Sequence, residues 1–315
     1  MNGTVPPYIA EWFQELPVVY IVFIGVCACV FVAITVATAI LVWRIHYFVP
    51  NEYVQADLYF IVLVPFIVSS VCLIGNIIPR AAPVTYAIGL VFLMLCLHIT
   101  VLIIIRLFGT RNGMAKWLLE HNKVLHFDVR PYCCCCHCLP GMSPTPKKVR
   151  RLTYFVRQSP IVRVVLQVAI VILGVEGISD QSAILQVLNG LGVASTLIAV
   201  FVCHVFVTAT KAIKIQEVLT PFNMYVIFRC VDTTQMLYTF QKFILDLIAK
   251  NGGMGGLSMA TPAMVARFWH NVAMTFEVAL VCFVMFRNIR PGKSEFFTDA
   301  SNTAKVGNPL PLADL

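Results

Sequence analysis

Residues 18–43 read VVYIVFIGVCACVFVAITVATAILVW, twenty-six positions without a formal charge. An apolar run of about 18 residues or more is long enough to cross the hydrocarbon core of a bilayer as a helix. Val, Ile and Thr crowd this run, and in water that composition favours strands. Inside lipid the preference is overruled, because each peptide group must find its hydrogen bond within its own segment. The stretch therefore reads as a spanning helix, and it is not alone. Further runs fall at about 58–78, 84–107, 160–178, 187–210, 222–248 and 266–286. The expected fold is all-α, a polytopic membrane protein with seven transmembrane helices between residues 18 and 286.

Composition agrees with that reading. Of 315 residues, 59% are hydrophobic and 12% charged, where a soluble domain carries about 25% charged residues. Mean hydropathy is +0.84. The net charge of +8 reports topology before it reports partners, since basic loops stay on the cytoplasmic side. Seventeen of the twenty-three Lys and Arg fall on one side of the expected spans, three on the other and three within them. This places the N-terminus outside and the C-terminus in the cytoplasm, and it points away from nucleic acid. Residues 1–17 contain Glu11 and Glu15 but no Lys or Arg, so the basic n-region of a cleavable signal is missing. Asn2-Gly3-Thr4 is a glycosylation sequon that would face the permissive side, or a chance triplet.

The long cytoplasmic segment, about 108–159, holds Cys133, Cys134, Cys135, Cys136 and Cys138 between basic stretches. Disulfides are disfavoured where thiols stay reduced. Zinc needs convergent pairs, normally Cys residues two to four apart, and consecutive cysteines diverge. Cysteines beside a membrane and basic residues are the usual setting of S-palmitoylation. Lipidation is the first reading and a loose metal site the second. Upstream, Met114, Trp117, Leu118 and Leu125 share a helical face with Lys116 and Lys123 beside it, which suits a short interfacial helix. Downstream, Pro140, Pro144 and Pro146 are expected to bar a long helix. Lys147 to Arg151 offers a basic strip to anionic headgroups. The chain from Arg287 to Leu315 reads as a disordered tail.

The most polar span is the sixth. On a helix of 3.6 residues per turn, Tyr225, Arg229, Asp232, Gln235, Thr239, Lys242 and Asp246 fall within an arc of roughly 140°. Charges at that depth face the bundle interior or water, not lipid. The stripe is either a solute path in which Arg229 and Lys242 attract an anion, or a set of internal ion pairs such as Arg229 with Asp232. Both readings stand. In the seventh span Glu277 lacks a cationic neighbour in sequence and requires a partner from another helix, or a proton, with Lys242 and Arg229 the available cations. In the fourth, Arg163 falls in the first turn and can snorkel to the interface.

No phosphate-binding glycine loop, zinc-protease helix, serine elbow or dinucleotide fingerprint is present. The chain is not expected to be an enzyme, and no cofactor or metal is called for. Seven spans also describe G-protein-coupled receptors, but the third span ends Ile104-Ile105-Arg106-Leu107 without the acidic-Arg-aromatic triplet. The seventh lacks Asn-Pro-x-x-Tyr. A receptor, trafficking protein or scaffold without transport activity is the alternative reading.

The cysteine run between spans three and four resembles that of the alpha subunit of the organic solute transporter. So do the basic approach to span four, Asn251-Gly252-Gly253, Thr275-Phe276-Glu277 and Arg287 to Phe297. The likeness covers about residues 20–297. The chain departs from the vertebrate pattern in its shorter N-terminus and its sixth-span residues, as a divergent, invertebrate member would. The resemblance implies facilitated movement of amphipathic organic anions, such as steroid conjugates and bile-acid-like molecules, across the plasma membrane. It also implies a single-span beta subunit. The candidate path residues are then Tyr225, Arg229, Asp232, Gln235, Thr239, Lys242 and Glu277.

Overall fold

A computed structural model describes residues 7–122, 124, 125, 127, 141–176, 182–211, 219–255, 257 and 260–297. Asn2 and Cys133 to Cys138 lie outside the described residues. The chain enters through a short helix, α1 (Ile9–Glu15), and turns at Leu16 and Pro17 into α2 (Val18–Phe48). Along α2 one stripe is buried, with Ile34, Leu41 and Ile45 at 2% exposure or less, while Val22, Val32 and Val36 point outward. Gly25 has open space where a Cβ would sit, and Cys29 is exposed. Gly25, Cys29 and Ala33, small residues four apart, thus face away from the described helices, while Ala37, the next at that spacing, packs against the core.

Asn51 caps the next helix by accepting from the backbone N–H groups of Tyr53 and Val54 at 3.0 and 3.1 Å. That helix is split into α3 (Glu52–Val62) and α4 (Val64–Ile77). The break falls just before Pro65, whose missing N–H interrupts the ladder. α5 (Ala82–Leu107) follows, then α6 (Arg111–Glu120), whose N-cap Thr110 accepts from Gly113 N–H at 3.0 Å. Met114 and Leu118 of α6 are fully buried, because α6 packs on α7 and α5. Its apolar face is turned to protein instead of lying open to the interface.

α7 (Pro146–Val175) begins fourteen residues before the expected start of the fourth span. Proline at the first helical turn lacks only an N–H that has no intrahelical partner there, so Pro146 opens the helix that it was expected to bar. Lys147 to Arg151 ride on the first turns of α7. α8 (Ala183–Lys211) is the fifth long helix. From Met224 to Lys250 the chain is continuously helical, as α9 (Met224–Met236), a π-helical turn (Leu237–Gln241) and α10 (Lys242–Lys250). α11 (Pro262–Asn288) starts with Thr261 as its cap and Pro262 in its first turn. Beyond it the chain stays packed through Phe297: Phe296 lies against Phe222, and Asn223 Nδ2 donates to Lys293 O at 2.7 Å.

Among the described residues, six helices are long and apolar enough to cross a membrane: Val18–Phe48, Glu52–Ile77, Pro79–Leu107, Pro146–Gly174, Ala183–Ala209 and Pro262–Asn288. The path from Met224 to Lys250 is about 40 Å long at 1.5 Å per residue, but it carries five charged side chains in that length. α4 sits among α2, α5 and α11; α5 also holds α7 and α9; α7 pairs with α8; α10 leans on α11. The core they enclose holds Leu90, Leu93, Leu97, Val205 and Phe206, each fully buried. It also holds polar groups, among them Ser69, Thr100, Gln235 and His270. Val165, Val187, Leu280 and Phe283 meanwhile point out at more than 60% exposure. Apolar outside with polar side chains inside is the arrangement that a lipid solvent selects. Asp57 pairs with Arg106, tying α3 to the end of α5.

Candidate functional site

The π turn is where the polar stripe of the sixth span meets the rest of the bundle. One extra residue in that turn re-aims the side chains on either side, and such turns recur at functional sites. Tyr238, within it, is 1% exposed. Its ring lies flat on Tyr86 of α5 at 4.9 Å and 7°, and its hydroxyl donates to Tyr86 O at 3.2 Å. Gly89, one turn along α5, makes this possible. A Cβ there would stand 2.4 Å from the Tyr238 hydroxyl oxygen. His270 of α11 meets both rings edge-on, at 6.2 and 5.5 Å, and is itself fully buried. Neither of its ring nitrogens has a hydrogen-bond partner among the described residues.

Charge collects around this aromatic stack. Lys242 Nζ lies 5.0 Å from the centroid of Tyr86 and pairs with Asp246 one turn on. The charges of Arg163 and Arg267 both bear on the Tyr86 hydroxyl, and those of Lys242 and Arg267 on His270. The field at the stack is thus set from α7, α10 and α11, with the Lys242 ammonium in contact and paired to Asp246. Arg163 has no carboxylate at ion-pair distance among the described residues. Its Nε and Nη2 donate to Thr196 Oγ1 of α8 at 3.0 and 2.6 Å. Arg163 is 3% exposed and sits near the middle of α7. Snorkelling was expected only because the helix was started at residue 160.

The seven candidate path residues separate into groups. Gln235 and Thr239 are buried and bonded to each other, amide to hydroxyl at 2.8 Å. Asp232 is buried, and its Oδ2 faces His204 Nε2 of α8 at 3.1 Å and Arg229 Nη1 at 3.7 Å. Arg229 itself has a side chain 63% exposed, so it stands outside the bundle interior where the stripe had placed it. A long side chain can leave the arc that its Cα defines. Tyr225 is half-buried against the same core. Glu277 receives neither cation: Gln241 Nε2 donates to its Oε1 at 3.0 Å. The stripe is therefore part ion pair (Arg229, Asp232) and part lining of the tyrosine cluster (Gln235, Thr239, Lys242).

A second polar cluster closes the end of the bundle where α1 lies. Asn271 Nδ2 donates to Asn76 Oδ1 at 2.9 Å, and Trp12 Nε1 donates to Asn76 O at 3.1 Å. Gly75 leaves room for Asn271 and Thr85, each about 3 Å from where its Cβ would be. A cleft lined by Trp12, Asn76, Met264 and Arg267 opens here. Sequence reasoning missed Tyr86, Tyr238 and this cluster, placed Arg163 at a helix end, and set His270 on one face with Arg267 and Glu277 without giving it a partner. Tyr238 falls off the stripe on an ideal helix, and the π turn that brings it inward leaves no periodic signal.

No group of three or more metal-ligating side chains occurs among the described residues. A bundle of lipid-length helices with a charged and aromatic interior defines a polytopic membrane protein. The family model of the organic solute transporter Ostalpha matches residues 22–288, and the chain belongs to that family. It is 30% identical to organic solute transporter alpha-like protein 1 of Caenorhabditis elegans over 92% of this chain and 74% of the relative. With alpha-like protein 2 of the same organism it shares 22% over 92% of this chain and 84% of the relative. With alpha-like protein 3 it shares 27% over 63% and 57%. Those relatives bear out the expectation of an invertebrate-type member. No solved structure matches the chain.

Proposed function

We propose that this chain is the transport subunit of a facilitative carrier for amphipathic organic anions, of the steroid-conjugate and bile-acid-like kind, in the plasma membrane. It spans seven times, the path from Met224 to Lys250 being the additional crossing, with the N-terminus outside and the tail in the cytoplasm. The α1 end then faces the exterior. A single-span beta subunit accompanies it, and the cysteine run 133–138 is acylated at the inner leaflet.

The observation that carries the reading is the ammonium of Lys242 over the ring of Tyr86 within the bundle, beside the buried Tyr238. An aromatic wall next to a cation matches a solute with a fused apolar body and one negative head. Cation and ring also hold each other, by about 0.5–2 kcal/mol. Movement along such a path requires binding weak enough to release, and the partial neutralisation of Lys242 by Asp246 supplies that weakness. Uptake of a labelled steroid sulfate in cells co-expressing the chain with candidate single-span partners tests the reading. Uptake no higher than in empty cells, at full surface expression, overturns it in favour of a receptor or scaffold.

A further inference from the structure

Among the described residues, Arg163 is a buried cation near the tyrosine stack whose hydrogen bonds go to a hydroxyl and to no carboxylate. Thr196 Oγ1 accepts from its Nε and Nη2 and in turn donates to Gly192 O at 3.0 Å. That fixes the guanidinium plane. Gly192 is cut to its shape, since a Cβ there would stand 2.4 Å from Nη1. A guanidinium has five N–H donors, and most of these are left over. A fixed planar fork with spare donors matches a carboxylate or sulfate two-to-two, which a lysine cannot do. Burying such a charge with no anion is unfavourable, so the position makes sense as half of a pair.

We propose that Arg163, braced by Thr196 and seated against Gly192, is a binding site for the oxyanion head of an amphiphile, a carboxylate or sulfate, whose apolar body lies along Tyr86. This rests on the transport reading above and deepens it. Lys242 and Arg267 lend long-range attraction, while the Arg163 fork sets the choice of head group. An uncharged analogue of the same body loses this contact. The same oxyanion chemistry is carried by the headgroup of an anionic lipid entering between helices, and the test separates the two sources.

The full chain, purified with its partner in neutral detergent, is heated alone, with a steroid sulfate, with the uncharged parent steroid, and with short-chain phosphatidic acid. Wild type is expected to gain stability from the sulfate and much less from the parent steroid. Arg163→Gln is expected to fold, with a ligand-free Tm no lower than wild type, and to lose at least tenfold in sulfate affinity. Arg163→Lys recovers part of the loss. Gly192→Ala, which pushes the guanidinium off its seat, weakens the sulfate in the same way while keeping the charge. Stabilisation of wild type by phosphatidic acid alone, absent in Arg163→Gln, supports the site with a lipid as its occupant.

Sulfate binding by Arg163→Gln equal to wild type, or a fall in its ligand-free Tm, overturns the proposal by making Arg163 structural. Uptake is counted beside binding. An Arg163→Gln chain that binds and transports normally sinks this site and leaves the transport reading. A wild-type chain that binds the sulfate through Arg163 yet moves none of it does the reverse.

Discussion

Gly89→Ala tests the tyrosine stack at its tightest point. The new Cβ would stand 2.4 Å from the Tyr238 hydroxyl oxygen, 2.9 Å from Cζ and 3.0 Å from Val71 Cγ2. Tyr238 is 1% exposed and stacked flat on Tyr86, so a shift away from the new methyl disturbs that stack. Overpacking a filled core costs typically 1–3 kcal/mol, and the displaced hydroxyl gives up its bond to Tyr86 O, about 1 kcal/mol more. The expected loss is about 2–4 kcal/mol, read as a lower Tm of the solubilised chain and as weaker uptake at equal surface level. Tyr238→Phe alone removes the hydroxyl and should cost about 1 kcal/mol. Combined, the two changes should cost less than their sum, because the closest clash is gone; neighbours in contact couple by about 0.5–3 kcal/mol. A Gly89→Ala chain with unchanged Tm and uptake, or strict additivity in the double variant, would refute the close approach of α5 to the π turn.

Other positions give independent checks. Arg229→Ala should leave uptake within about twofold, since exposed ion pairs contribute about 0–1 kcal/mol; a larger loss, measured beside surface level, returns Arg229 to the solute path. Asp57→Ala should destabilise by about 1–3 kcal/mol by stranding half-buried Arg106, and a double cycle with Arg106→Ala should show that the two losses are one. Asn271→Ala should lower Tm by leaving the Asn76 carboxamide unpaired, at about 1–3 kcal/mol; an unchanged Tm would mean that the α1 end contributes no stability.

Much of the fold was legible because lipid imposes simple rules. Runs such as Val18 to Trp43 are read by length and absence of charge alone, and a proline inside a run, as Pro65 is, interrupts the ladder where α3 gives way to α4. The start of α7 was not legible. Three prolines near residue 146 look like a barrier, and only the cap geometry shows that the last of them opens a helix. That error moved Arg163 from mid-helix to a helix end and so hid its role. The stripe on the sixth span put Asp232 and Gln235 on a buried face, because helical periodicity survives from Met224 to Met236. It missed Tyr238, because a π turn shifts the phase, and it misplaced Arg229, because Cα position does not fix where a long side chain ends. Glu277 was rightly read as needing a partner. Its partner is the Gln241 amide, a neutral group that a search for opposite charges passes over.

The central claim is that a cation inside the bundle recognises an anionic amphiphile during transport. Its most direct test is saturable uptake of a labelled steroid sulfate, with the uncharged parent steroid counted in parallel, in cells expressing the chain and its single-span partner. Wild type should take up the sulfate well above empty cells. Lys242→Ala, at matched surface level, should lose about tenfold or more, in line with an interaction of about 1.4 kcal/mol or greater. Passage of the parent steroid should be the same in both. Equal sulfate uptake by wild type and Lys242→Ala would contradict the account.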